Sequence, residues 1–397
     1  MDIQRTGLLA VLGILTYVLF LQWNLYTEAD NPASAVSAQI QPSTETPKAG
    51  EVPSSSGVAQ APIAPISSNI VADQIIISTS TADMAITLSG GDITQVLLKE
   101  FPVSLKNQDQ PIPLLDYVSR TYFAQSGLVG ADGPDASTDG RPVYKAEQQR
   151  YDITEPTDIS IQATTDTGLI ITKTFSVDPA HYDVKVTHTV QNTSDTAKTV
   201  SPFVQLKRDN SADPSIQNSM GMQAFLGYAL RTADERYRKV SFSDFETTID
   251  ARELNTELKN NAVAGGYLAL LQHYFTSAWV PSGDQTHLYS FRTNQDGHFI
   301  GSVISPDIVI PAGETQQTSA TFYAGPKDQD ALEAISPGLE LVVDYGWLWF
   351  IAQPLFWLLK FIQTYVGNWG FAIILVTVLV KAAFFQLSAA AYKSMAK

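Results

Sequence analysis

The chain has 397 residues, with 40 acidic against 25 basic side chains, a formal net charge of −15 and no cysteine. The absence of cysteine excludes disulfides, thiol catalysis and thiolate metal sites. Outside Leu25–Glu340 the charged residues are Asp2, Arg5, Asp344, Lys360, Lys381, Lys393 and Lys397, which sum to +3. The middle of the chain therefore carries −18, which argues against nucleic acid as a partner.

The first predicted element is an apolar run, Gly7–Trp23, within 22 residues that carry no charge between Arg5 and Glu28. That is long enough to cross a bilayer. A cleavable signal peptide is the competing reading. Its core is shorter, about 7–15 residues, with a small-x-small site close behind. Here the core is followed by QWNLYTEAD, and Ala33-Ser34-Ala35 comes late. The run reads as an uncleaved anchor. Arg5 precedes it and Lys48 is the first basic residue after it, so the positive-inside rule puts the N-terminus in the cytoplasm.

Residues 27–69 form a low-complexity linker. Six prolines, eight alanines and eight serines make up about half of it. It lacks the apolar content to fold. A flexible chain of this length spans about 36 Å root-mean-square, at 5–6 Å × √n.

From Ile70 to about Gly325 the periodicity becomes two. QIIISTSTADMAITLSGGDITQVLLKEF, GLIITKTFSVD, YDVKVTHTVQN and GGYLALLQHYFTSAWVP are rich in Ile, Val, Thr and aromatics and are bounded by turn residues. Thr167-Gly168 and Asp178-Pro179 mark turns, and Ala131–Gly140 is a loop. The pattern predicts one large all-β sandwich. Asp328–Ile335 predicts a short helix ended before Pro337.

Little in this domain points to chemistry. His181 and His188 are seven residues apart, so on one strand they would face opposite ways, which spoils a two-histidine metal site. There is no G-x-S-x-G, P-loop or zinc signature. Asp244, Glu246 and Asp250 could pair as glycosidase acid and base, but in so acidic a domain a solvated surface is the better reading. Arg231–Val240 mixes both charge signs and reads as an exposed loop or edge.

Tyr345–Lys360 is aromatic and interrupted by Pro354, which predicts a short interfacial helix and then a turn into a second span. Five of the six tryptophans (Trp23, Trp347, Trp349, Trp357, Trp369) lie in or beside the two apolar stretches, as an aromatic belt requires. From Phe361 to Tyr392 the one charge is Lys381. Two registers are open. A span over Phe361–Val380 makes Lys381 an anchor at the cytoplasmic headgroups. A span from Gly367 to Ser388 puts it about 21 Å from the outer edge, at 1.5 Å per residue. The second is favoured by Lys360 and Gln363, awkward in lipid, by the interface pair Asn368 and Trp369, and by the apolar AAFFQL after Lys381. Thr377, Lys381, Ser388 and Tyr392 are spaced 4, 7 and 4, which places them in an arc of about 60°. An intramembrane charge is a functional hypothesis by default; helix–helix packing is the other reading of Thr377 and Ser388.

VDYGWLWFIAQPLF, the GNWGFAI start of the second span, the YKSMAK at its end, GGYLALLQHYFTSAW and the opening MDIQRTGLL resemble the YidC family of bacterial membrane protein insertases. The resemblance runs from end to end. It implies a membrane-anchored all-β plus α fold with a cytoplasmic N-terminus. The expected divisions are an anchor (1–26), the linker (27–69), a periplasmic β-supersandwich similar to sugar-binding mutarotase-like folds (70–325), a connecting helix (326–344), an interfacial helix (345–360) and the first helix of an insertase core (361–397). That core is a hydrophilic groove of five spanning helices, closed toward the periplasm, with a basic residue that attracts the polar part of an incoming chain. Lys381 matches that residue and Thr377 a groove-lining threonine; Ser388 and Tyr392 share their face by spacing. The usual residue is arginine. Lysine keeps the charge and loses the planar fork.

The resemblance implies a non-enzymatic insertase and chaperone of the bacterial inner membrane, without cofactor or metal. Expected partners are nascent membrane proteins, the lipid bilayer, the Sec translocon with its accessory subunits, and the ribosome through downstream regions. The chain stops after the first core helix, so a longer protein carrying the cytoplasmic hairpin and four more helices is expected. The alternative is a tethered periplasmic β-sandwich that binds a sugar, a peptide or a partner protein.

Overall fold

In a computed structural model, the described residues are 53, 74–104, 107–137, 140–213 and 225–395. The expected anchor (1–26) and, apart from Pro53, the linker (27–69) lie outside them. Two sheets dominate. The first, in spatial order, is β15 (Leu288–Thr293), β16 (Phe299–Ile304), β10 (Lys198–Arg208), β5 (Tyr122–Val129), β4 (Asn107–Asp116), β3 (Ile93–Ser104), β2 (Ala82–Thr87), β1 (Gln74–Ser78) and β6 (Arg150–Asp152), with β17 (Ile308–Ile310) also on β10. The second is β12 (Arg238–Ser241), β11 (Gly227–Leu230), β13 (Leu268–Leu271), β14 (Phe275–Pro281), β18 (Thr315–Pro326), β9 (Asp183–Asn192), β8 (Leu169–Val177) and β7 (Thr157–Thr164). Pairing is antiparallel except between β1 and β6.

Alternation builds the core. Leu169, Ile171, Phe175 and Val177 of β8 are buried, with half-buried residues between them. Trp279 on β14 reaches across the interior, and its Nε1 donates to Gln205 O of β10 at 3.2 Å. At about 25 cal/mol per Å² of buried apolar surface, this interior is the main stabilising term.

The domain is not purely β. Helix α1 (Thr248–Asn260) departs from the all-β expectation. Thr247 caps it by accepting from Asp250 N at 3.2 Å, and Ala251, Leu254 and Leu258, spaced three and four apart, are buried. The helix lies along β15, where Asn255 bonds both backbone groups of Phe291. An exposed strand edge is thereby closed.

The loop Ala131–Gly140 is more than a connection. It contains a short 3-10 turn, Pro134–Ala136, whose Asp135 is buried. Asp135 Oδ1 accepts from Arg141 Nε at 2.7 Å, and its Oδ2 from Leu128 N at 2.7 Å. Gly127 makes room, since a Cβ there would fall 2.4 Å from Asp135 Oδ2. Arg141 also pairs with Asp92, which Gln125 Nε2 reaches at 2.7 Å. From the other sheet, Lys173 stands in the inward row of β8 and donates to the carbonyls of Gly91 at 2.6 Å and of Gly90 and Ser126 at 3.1 Å. Burial lowers the Lys173 ammonium to about 8, and it raises the Asp92 carboxyl despite Arg141. His188, paired with Lys173 in register, is held well below its ordinary range by burial and by the Lys173 and Arg141 charges. These groups are spent mostly on one another, so the cluster is a strut between the sheets.

Two short elements follow β18. Helix α2 (Gln329–Ile335) is capped by Asp328, whose Oδ1 accepts from Asp330 N at 2.9 Å, and it ends before Pro337 as its sequence requires. A 3-10 turn covers Leu339–Val342. Both dock on the outside of the second sheet. Ala229, Ala269 and Ala278 stand in one cross-strand row that ends at Tyr323, and Leu332, Leu339 and Val342 pack in the same buried cluster. Small side chains leave a shallow seat for larger ones.

Candidate functional site

The C-terminal helices are built from their break outward. Helix α3 (Trp349–Val366) runs unbroken through Pro354, which corrects the expected end of the interfacial helix at residue 360. One missing N–H near the N-terminal end did not stop the helix; glycine did. Gly367 adopts φ 67°, and its N–H bonds Gln363 O at 2.7 Å, a left-handed C-cap. Asn368 then caps helix α4 (Trp369–Met395), its Oδ1 accepting from Gly370 N at 2.8 Å and Phe371 N at 3.2 Å. The apolar helix therefore begins at Trp369 rather than at residue 361.

Helix α3 is tied to the β domain by charge and aromatic contact. Lys360 Nζ lies 2.5 Å from Asp330 Oδ2, and the Tyr345 ring is 6.2 Å from that of Phe356. Lys239 of β12 pairs with Asp344 just before α3. Trp349, Trp357, Phe361 and Tyr365 are exposed, and the last three pack as neighbours one turn apart.

Helix α4 is long and apolar enough to cross a membrane over Trp369–Gln386, and only 6% of that stretch is buried within the structure. Phe371, Ile373, Ile374, Val378 and Leu379 are all exposed. Lys381 lies twelve residues after Trp369, is exposed, and forms no ion pair among the described residues. Thr377 is exposed and turns its hydroxyl back to Ile373 O at 2.8 Å. Ser388 and Tyr392 stand on the same continuous helix, so helical spacing relates all four positions.

The other candidate groups have structural partners. Asp244 Oδ2 accepts from Ser241 N at 2.7 Å in a capping box, and Asp250 bonds the Thr247 hydroxyl at 2.5 Å. Glu246 is exposed. They serve a turn and a helix start rather than a catalytic cleft. His188 is buried on β9, whereas His181 precedes the strand and is largely exposed. Among the described residues no group of three or more His, Asp or Glu side chains could hold a metal ion. Arg231–Val240 runs into the edge strand β12, and Arg238 forks onto Glu257 of α1 at 2.6 and 2.9 Å.

Residues 74–358 match the family model described as the YidC periplasmic domain. A protein named membrane protein insertase YidC from Azotobacter vinelandii (strain DJ / ATCC BAA-1303) is 43% identical over 408 residues, covering 100% of this chain and 72% of its own. Its namesake from Pseudomonas fluorescens (strain SBW25) is 43% identical over 411 residues, with 100% and 71% covered. Among solved structures, a galactose mutarotase related enzyme from Lactobacillus acidophilus aligns with a TM-score of 0.40 at 9% identity, over 63% of this chain and 97% of the other, a likeness too slight to bear on function.

Proposed function

The chain belongs to the YidC family of membrane protein insertases, and from that premise we propose that its insertion chemistry centres on the face of α4 that carries Lys381. Its role is non-enzymatic. It acts at the inner membrane on nascent membrane proteins, with the β domain in the periplasm.

The observation that carries the reading is the exposed, unpaired Lys381 inside an apolar helix. At 1.5 Å per residue it lies about 18 Å from Trp369, well inside a hydrocarbon layer of about 30 Å. A lysine at mid-span costs about 2.5–3.5 kcal/mol on insertion scales. That cost falls where the group faces a wet cavity. Lys381 attracts the polar or acidic part of a client, while Thr377, Ser388 and Tyr392 give the same face hydroxyl groups. A client segment thereby crosses without exposing its backbone groups to lipid, where each unsatisfied group costs several kcal/mol.

In this arrangement α3 lies in the periplasmic interface, its exposed tryptophans at headgroup level. Helix α4 returns the chain to the cytoplasm, and the apolar run Gly7–Trp23 is the first span of a multi-pass protein whose N-terminus is cytoplasmic. Residues 70–325 serve in this reading as the periplasmic domain, and 326–344 as the segment that connects it to α3. The Sec translocon with its accessory subunits and the ribosome are the partners in delivery.

The test is insertion of a client with a short acidic tail by a full-length family protein carrying Lys381→Ala, Lys381→Arg or Lys381→Glu. Insertion is expected to survive in the arginine variant, to fall severalfold in the alanine variant and to fail in the glutamate variant. Equal insertion by all three would remove the role assigned to Lys381.

A further inference from the structure

Where β5 begins and β10 ends, buried hydrogen-bond donors gather without acceptors. Arg208 is the last residue of β10 and stands opposite Tyr122 in register. Its side chain is fully buried. Nη2 donates to Ser211 O at 2.7 Å, while Nε and Nη1 have no partner. Arg120, two residues before Tyr122, donates from Nη2 to the carbonyls of Pro113 at 2.8 Å and Leu114 at 2.7 Å and leaves Nη1 buried and unpartnered. The two guanidinium carbons lie 5.3 and 5.5 Å from the centroid of the same Tyr122 ring.

The facing sheet adds a third donor. Tyr122 OH meets Ser277 Oγ of β14 at 2.5 Å. Ser277 pairs in register with Leu270 of β13, a core residue like Leu268. Gln272 continues that inward parity and pairs with the chain again through its N–H to Phe275 O at 3.0 Å. It is buried, and its Nε2 has no partner.

Nearby carboxylates act on the arginines only through space. Neither arginine forms an ion pair among the described residues. Asp116 and Asp213 act on Arg120 and Asp209 acts on Arg208 through space, but Asp213 Oδ2 already accepts from His273 N at 2.7 Å, and the Asp209 oxygens accept from Thr121 N at 2.7 Å and Ser211 N at 3.0 Å. The Tyr122 ring attracts a cation at its face and offers nothing to N–H groups lying in the guanidinium plane. A buried guanidinium with unspent donors is costly, and planar forks of this kind match carboxylate and phosphate oxygens.

We propose that this end of the sandwich binds a small oxyanion of the carboxylate or phosphate class, held by Arg208 Nε and Nη1, Arg120 Nη1 and Gln272 Nε2. The oxyanion supplies the missing acceptors. This inference is independent of the insertase role.

The test is thermal unfolding of the full chain in detergent, dialysed into phosphate-free chloride buffer and titrated at constant ionic strength with acetate and, separately, with inorganic phosphate. Binding to the folded state raises the midpoint with the logarithm of ligand concentration once the dissociation constant is passed, by roughly 3 °C at tenfold excess over it. A response to acetate assigns the carboxylate class, and a response to phosphate alone assigns the phosphate class. Arg208→Met, which removes a buried unpaired charge, is expected to fold and to lose the response; Arg120→Met is expected to weaken binding at least tenfold. A wild-type midpoint that follows chloride in both titrations would overturn the proposal, as would an unchanged response in both variants.

Discussion

Asn255 on α1 binds Phe291 on β15 as a neighbouring strand would: its Oδ1 accepts from Phe291 N at 2.7 Å and its Nδ2 donates to Phe291 O at 2.9 Å. One side chain thus satisfies two backbone groups on the edge of the first sheet. Asn255→Ala leaves both without that partner, and a buried unmet backbone group costs about 1–3 kcal/mol. The expected result is a fall of that order in unfolding free energy by denaturant titration, with exchange of the Phe291 amide accelerated more than that of amides on β10.

The alanine row Ala229–Ala269–Ala278 is the seat of α2 and of the 3-10 turn Leu339–Val342. Overpacking such a site costs typically 1–3 kcal/mol. Ala269→Leu is expected to lift these elements from the sheet, so that limited proteolysis cuts within 327–346 while the sandwich survives. Unchanged cleavage there would show that the row is not the seat.

His188 is buried with Nε2 unpartnered, and its folded-state pKa lies well below the ordinary 6.5. The unfolded chain then binds more protons than the folded one as pH falls below 6.5, so stability is complete above that value and declines below it. The slope per group is about 1.4 kcal/mol per pH unit. Between pH 6.5 and 5, ahead of most carboxylate titration, His188→Leu is expected to flatten the decline by about one proton's worth.

Lys173 behaves in the same sense at alkaline pH. Its folded value is about 8 against an ordinary 10.5, so the unfolded chain holds the extra proton between them. Stability contributed by this group rises with pH through that window, by up to roughly 3 kcal/mol in total. The measurement belongs between pH 8 and 9.5, because buried tyrosines such as Tyr228, pushed up by desolvation, oppose it once free tyrosine ionises near 10. Lys173→Met is expected to lose the rise.

Much of this molecule was legible along the chain. Period-two runs announced β8 and β9, Asp328 and Pro337 bounded α2, and one apolar helix with Lys381 inside it was visible from composition. These features depend on neighbours within a few residues, so local patterning determines them. Pro354 misled the reading of α3 because a lost N–H near the helix start is cheaper than one at its centre, and Gly367 supplied the actual stop. Helix α1 escaped because its buried stripe is only Ala251, Leu254 and Leu258 in a polar segment. Tertiary structure alone decided which distant residues meet. Lys173 reaches Gly91, Arg141 reaches Asp92, three alanines align across β11, β13 and β14, and Arg208 shares the Tyr122 ring with Arg120. Each depends on strand register between segments far apart in sequence, and register is set by the packing of whole faces rather than by any local run of residues.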